Sequence, residues 1–269
     1  MKLLFNSSMP RSGSELLQVL LHQNPRIYGS ATSPLLEYQY AARANYDSAE
    51  VRSQDPGLMQ RAFIGMCAGM AGAYYAALTE RPVAIDKNRG WAHYYEWVAQ
   101  WCPNPRMICM VRDLRSIVAS MERIYRSNRH RDAGPDKPSQ LTCMTVAQRA
   151  QHWLGSQPVG LALARTLDCF QRGVAKEMLF VRYEDLCTAP RETLARVYSY
   201  IGEEPFAHDF ERIVKEVRED DSHYGIYGQH SIRPSLRAAM PGDWRDVLPD
   251  KVAAGIRAGN PWYFETFGY

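Results

Sequence analysis

The sequence predicts an α/β protein built on a single doubly wound parallel sheet flanked by helices, in one domain over residues 1–269. Three observations lead there. Four short runs are almost wholly apolar, at 2–6 (KLLFN), 82–86 (PVAID), 107–111 (MICMV) and 178–182 (MLFVR), as parallel strands covered on both faces require. Each is followed by apolar residues at helical spacing. No Pro/Gly/Ser-rich linker divides the 269 residues, a length that fits roughly two average domains or one large α/β unit.

The elements follow in order. Strand 2–6 runs through a Ser/Pro/Gly turn into Leu16, Leu17, Leu20 and Leu21, a helical stripe. Helical patterns cover 35–47, 58–78 with a small-residue face, and 91–101, with strand 82–86 between the last two. Strand 107–111 leads into a helix over 114–125, and a longer helical stretch at 146–170 is interrupted near Pro158. After strand 178–182, Pro190 suits the first turn of a helix that continues over 193–201. The polar stretch 126–143, with Gly134, Pro135 and Pro138, is the longest loop, and loops of that length are functional or disordered. Its Arg126, Arg129, His130 and Arg131 read either as a solvated surface or as an anion contact or lid. Aromatics such as Trp91, Tyr94, Tyr95, Trp97, Trp101 and Trp153 serve the core, or in part an acceptor pocket.

Composition excludes several function classes. Lys plus Arg number 32 against 29 Asp plus Glu, a net charge of +3, so bulk charge makes no case for a nucleic-acid binder. Mean hydropathy is −0.39, and no run approaches the roughly 20 apolar residues of a membrane span. The apolar run 3–5 is too short for a signal peptide's core, and a cytoplasmic protein is expected. The six cysteines show no CxxC pair or zinc spacing and read as free thiols.

Chemistry concentrates at strand ends. In Ser8-Met9-Pro10-Arg11-Ser12-Gly13-Ser14, the turn after the first strand, Gly13 lets the backbone approach an anion, Ser12 and Ser14 offer hydroxyls and Arg11 a permanent charge. The Gly-Lys-Ser/Thr ending of a Walker A loop is missing, and the same residues also describe a serine-rich helix cap. Strand 107–111 ends in Arg112, and Ser120 follows eight positions later in the next helix. Alone they read as surface residues; beside the first turn they describe a second phosphate pocket.

These motifs resemble the sulfotransferases that use 3′-phosphoadenosine 5′-phosphosulfate (PAPS), whose sheet is P-loop-like. Pro10-Arg11-Ser12-Gly13-Ser14 is similar to their 5′-phosphosulfate loop, and Val111 through Ser120 to their 3′-phosphate motif. Val181-Arg182-Tyr183-Glu184-Asp185-Leu186 resembles their Y-E-D-L segment, and Gly242-Asp243-Trp244-Arg245 their G-D-W-K, preceded by Arg237. The resemblance implies a sulfuryl transfer from PAPS to an acceptor hydroxyl by in-line displacement, with no metal required. It places Arg11 at the bridging oxygen, with Ser12, Gly13 and Ser14 on the 5′-phosphate. Arg112, Ser120 and Arg237 fall on the 3′-phosphate, Tyr183 by the nucleotide, and Lys87 on the leaving group. The implied acceptor is a small molecule, glycan, lipid or peptide, and a homodimer is possible.

Two positions depart from the family pattern. Glu15 replaces a Thr and is expected to turn outward or to cap the first helix. Thr32 falls where glycan and protein-tyrosine members carry a Glu base. The candidates for the base are Glu37, Asp86 and His93, each with a plainer reading: a solvated helix charge, an ion pair, and a satisfied histidine. Two other functions stay open, a P-loop kinase-like ATP-dependent phosphotransferase and a non-catalytic nucleotide-binding protein.

Overall fold

Strand periodicity and helix patterning resolve into five parallel strands in the order β2-β3-β1-β4-β5. The computed structural model describes residues 1–128, 140–224, 230–236 and 244–269. Arg237, Gly242 and Asp243, and the Arg129-His130-Arg131 cluster, lie outside the described residues.

Strand β1 (Lys2–Asn6) leads to α1 (Ser14–His22), β2 (Ile27–Thr32), α2 (Leu35–Ala44), α3 (Ala49–Arg52), α4 (Pro56–Leu78) and β3 (Val83–Lys87). Then come α5 (Tyr95–Trp101), β4 (Met107–Val111), α6 (Leu114–Asn128), α7 (Val146–Gly155), α8 (Val159–Gln171) and β5 (Met178–Arg182). The chain ends with α9 (Tyr183–Thr188), α10 (Pro190–Ile201), α11 (Asp250–Gly259) and α12 (Pro261–Phe267). No described helix is long and apolar enough to cross a membrane.

Strand β1 pairs with β3 on one side, Phe5 opposite Asp86 and Asn6 opposite Lys87, and with β4 on the other. The chain therefore reverses its winding direction at β1, and the crevice outside the carboxyl ends of β1, β3 and β4 is where ligands of such sheets bind. Leu16, Leu17, Leu20 and Leu21 of α1 pack on one face with Leu194 and Val197 of α10. The other face takes Leu35, Cys67, Tyr75, Trp91 and Trp101, and α6, α7, α8, α11 and α12 share a third apolar cluster. Trp91, Trp101 and Trp153 are all buried core residues.

One element was not expected from the sequence, and one expectation is met in detail. Strand β2 (IYGSAT) has no counterpart among the expected elements, because its polar, glycine-containing sequence lacks an apolar run. Among the described residues it is an edge strand, paired with β3 alone, so it needs less apolar surface. Its Gly29 lies so close to α1 that a Cβ would collide with the Gln18 carbonyl. The stretch 146–170 is two helices, separated at Pro158 as its proline implied.

After α10 the described residues of 202–224 and 230–236 cross α1 and the carboxyl edge of the sheet as a strap. Ile213 N–H donates to Pro234 O (2.7 Å) and Leu236 N–H to Phe210 O (2.8 Å), tying its two arms together. Gln23 Nε2 donates to Asp209 O (2.9 Å), fixing the strap to the end of α1.

Candidate active site

A cleft of about 620 Å³ opens at the carboxyl ends of the strands. Its lining includes Pro10, Arg11, Gly13, Ser14, Lys87, Arg112, Ser120 and Tyr183, so residues named from four separate stretches of sequence meet on one surface.

The turn between β1 and α1 is held by its own side chains. Ser12 is fully buried and its hydroxyl donates to Met9 O (2.6 Å). Ser8 bonds to Asn6 through its hydroxyl and accepts from Met110 N–H (2.9 Å), which joins the turn to β4. Arg11 (φ 59°) and Gly13 (φ 88°) both adopt left-handed backbone, a shape that curls successive N–H groups toward a common point. The first N–H groups of a helix lack intrahelical partners, and among the described residues no side chain caps α1. Over the turn lies Tyr183, the first residue of α9, and a Cβ at Gly13 would fall 2.8 Å from its Cε2. Gly13→Ala is therefore expected to lower stability by about 1–3 kcal/mol, read as a lower urea midpoint at unchanged slope.

Arg112, at the end of β4, completes this shelf. Its Nη1 donates to Arg11 O (3.0 Å), and its guanidinium lies 4.4 Å over the Tyr183 ring. Arg11 Nε in turn donates to Ser120 Oγ (3.1 Å) on α6. Arg112 and Ser120 thus reach the same place through Arg11. Arg112 Nε is buried with no hydrogen-bond partner among the described residues, a cost that an anion in the cleft would remove. Burial, with Arg112 and Arg89 beside it, lowers the Arg11 guanidinium to about 10, which leaves it charged at neutral pH. Six cations line the cleft, Arg11, Lys87, Arg89, Arg112, Arg123 and Arg233, with Glu15 as the only carboxylate among the described lining residues.

Lys87 is buried at the end of β3, its Nζ bonded to Glu15 and, at 3.2 Å, to Glu219. Glu15 neither turns outward nor caps α1: it faces inward to Lys87 and Lys215 (2.5 Å). The charge of two lysines wins over the repulsion expected from an anion site. Thr32 lies at the cleft edge, and its backbone N–H donates to Glu219 Oε1 (2.9 Å). The strap therefore delivers a carboxylate beside the position where the sequence has Thr32.

None of the three residues named for the base lines the cleft. Asp86 is fully buried, accepting from Tyr75 OH (2.7 Å) and Trp91 Nε1 (2.6 Å), and burial raises its pKa. Side chains alternate along a strand, so with Lys87 facing the cleft Asp86 faces the core. Glu37 accepts from Asn88 Nδ2 (3.0 and 3.1 Å), and His93 Nδ1 bonds to Asp168 Oδ2 (3.0 Å) on α8.

Sequence reading missed Glu219, Asp221 and His230. His230 lines the cleft, its ring only 9% exposed, and its Nδ1 bonds to Asp221 Oδ1 (2.6 Å). Nothing in their spacing marks them, since the strap has no periodic pattern; their acid and histidine content was the only signal. Burial works to raise Glu219, but Lys87, the Thr32 N–H and His230 outweigh it and bring its pKa from 4.5 down to about 2. A depressed carboxylate contributes stability that is present above its unfolded pKa and lost as pH falls through the folded one. The window is therefore from about pH 4.5 to about pH 2, with on the order of 3 kcal/mol at stake. Urea midpoints measured across that window should fall steeply for the wild type and less steeply for Glu219→Gln.

The profile of the sulfotransferase family matches residues 4–208. The sulfotransferase domain of the Synechococcus PCC 7002 olefin synthase superposes with a TM-score of 0.57 at 19% identity, covering 100% of this chain and 95% of that one. The sulfotransferase domain from the curacin biosynthetic pathway gives 0.57 at 17% identity, covering 96% of each. Mouse sulfotransferase SULT7A1, complexed with PAP, gives 0.51 at 17% identity, covering 94% of this chain and 80% of that one. At these identities the likeness is one of fold. No curated protein sequence matches the chain.

Proposed function

Because this chain belongs to the sulfotransferase family, we propose that it moves a sulfuryl group from PAPS to an acceptor hydroxyl by in-line displacement. The observation that carries this reading is the adjacency of two anion seats on one cleft, the Arg11–Ser14 turn and the Arg112–Ser120 pair, joined through Arg11. The buried Nε of Arg112 and the head of α1, without a partner or side-chain cap among the described residues, suit the two phosphates of such a donor.

The donor supplies the sulfuryl group and a phosphate that leaves with it. The chain supplies position and charge. Ser14 and the N–H groups of Ser12 and Gly13 hold the 5′-phosphate, while Arg112 and Ser120, with Arg237 outside the described residues, hold the 3′-phosphate. Tyr183 orders Arg112 and covers the turn. Arg11 and Lys87 stabilise the negative charge that grows on the leaving oxygen, an electrostatic task that needs no covalent step. The six cations of the cleft lining support a reaction run on side-chain charge without a metal.

Thermal unfolding with adenosine 3′,5′-bisphosphate in EDTA, set beside ATP with magnesium, tests the donor. Stabilisation by the bisphosphate in EDTA is the expected result. Stabilisation only by ATP with magnesium would replace this reading with a kinase-like phosphotransferase.

A further inference from the structure

An acceptor hydroxyl must lose its proton as it attacks, and a base has to stand within hydrogen-bond reach of it. The carboxylates nearest Lys87 are poorly suited: Glu219 is held near pKa 2, and Glu15 is bound by two lysines. Asp86, Glu37 and His93 do not line the cleft.

We propose that His230 is the general base of the transfer and that Asp221 is the positioning residue that sets its tautomer. This rests on the reading of the site given above. His230 shares the cleft wall with Thr32, Lys87 and Arg11. Asp221 grips it twice, accepting from the backbone N–H (3.2 Å) and bonding the ring at Nδ1 (2.6 Å). An ionised carboxylate only accepts, so Nδ1 carries the hydrogen and Nε2 is the basic nitrogen of the neutral ring. Lys215 fixes the same residue from the other side, its Nζ donating to His230 O (3.1 Å). Glu219 Oε1 lies 3.9 Å from Nε2, beyond hydrogen-bond distance, and accepts from the Thr32 N–H, while Glu219 Oε2 is held by Lys87 and Lys215.

In the transfer Nε2 takes the hydroxyl proton while the acceptor oxygen bonds to sulfur. The bond from sulfur to the phosphate oxygen breaks, and its electron pair leaves on that oxygen beside Arg11 and Lys87. Nδ1–H stays on Asp221 throughout, so one proton moves and the ring ends as imidazolium.

The test uses the full chain with water as the probe acceptor, following sulfate release from PAPS, together with 15N spectra of the histidine rings. The neutral His230 ring is expected in the Nδ1–H form, and Asp221→Asn is expected to remove that preference and slow sulfate release at least about tenfold. His230→Gln should slow release about a hundredfold or more while its stabilisation by adenosine 3′,5′-bisphosphate stays as in the wild type. A ring in the Nε2–H form overturns the proposal, whatever the variants do. So does His230→Gln with release within about threefold of wild type, or a larger loss in Glu219→Gln, which would make Glu219 the base. A wild type that binds no bisphosphate and releases no sulfate removes the donor reading, and this proposal falls with it; bisphosphate binding with an active His230→Gln removes this proposal alone.

Discussion

Arg112→Ala is expected to abolish the stabilisation of this protein by adenosine 3′,5′-bisphosphate. At a hundred times its dissociation constant a ligand adds about 2.7 kcal/mol, roughly 5–10 °C for a chain of this size. Arg112 is buried, stacked on Tyr183 and bonded through Nη1 to Arg11 O, and its Nε, which has no partner among the described residues, is a natural donor to a phosphate. Breaking a buried charge pair by removing one partner costs about 3–5 kcal/mol, which lowers affinity more than a hundredfold. At the same ligand concentration the shift should collapse to under about 2 °C. Ser120→Ala removes a neutral hydroxyl that accepts from Arg11, and its loss should be nearer 1 kcal/mol. A full shift retained by Arg112→Ala would move the 3′-phosphate seat elsewhere.

Lys87→Ala is expected to separate turnover from binding. Removing one preorganised donor from a developing negative charge lowers the rate by about 10²–10³. Sulfate release should therefore fall by that factor while stabilisation by the bisphosphate changes little, because Arg11, Ser14 and Arg112 remain. The variant should also be less stable, since Lys87 neutralises Glu15 and Glu219 in a buried setting. The loss should stay below the ~3–5 kcal/mol of a stranded charge, because Lys215 still pairs with both, at 2.5 and 3.3 Å. Lys87→Arg keeps the charge but presents a planar fork in place of a compact ammonium, and it should not restore the rate. If release falls only as far as bisphosphate affinity does, Lys87 serves binding and not the transfer step.

The parts of the protein legible in sequence are those whose signal is local. Strands β1, β3, β4 and β5 showed themselves because burial on both faces demands continuous apolar runs. The Pro10–Ser14 turn and the Arg112/Ser120 spacing were legible because strand-end and helix-start chemistry lies within a few residues. Strand β2 escaped notice because an edge strand with Gly29 against α1 carries no apolar run. Asp86 attracted attention by its place beside Lys87, yet strand alternation turns it to Tyr75 and Trp91. A strand ending at 86 and one ending at Lys87 differ by one residue, and one residue decides which face a side chain takes.

The sequence by itself determined the parallel sheet, the Pro10–Ser14 turn and the arginine at the end of β4, all from neighbours in the chain. Only the tertiary structure decided which acids and bases share the cleft. Glu219 meets Lys87 across 132 positions, and Asp221 and His230 arrive on a strap held by two backbone bonds between its arms. Charges in a buried cleft act through distance in space, which hydrophobic periodicity does not encode, so the ion pairs around Lys87 and the Asp221–His230 pair emerge only once the strap is folded over α1.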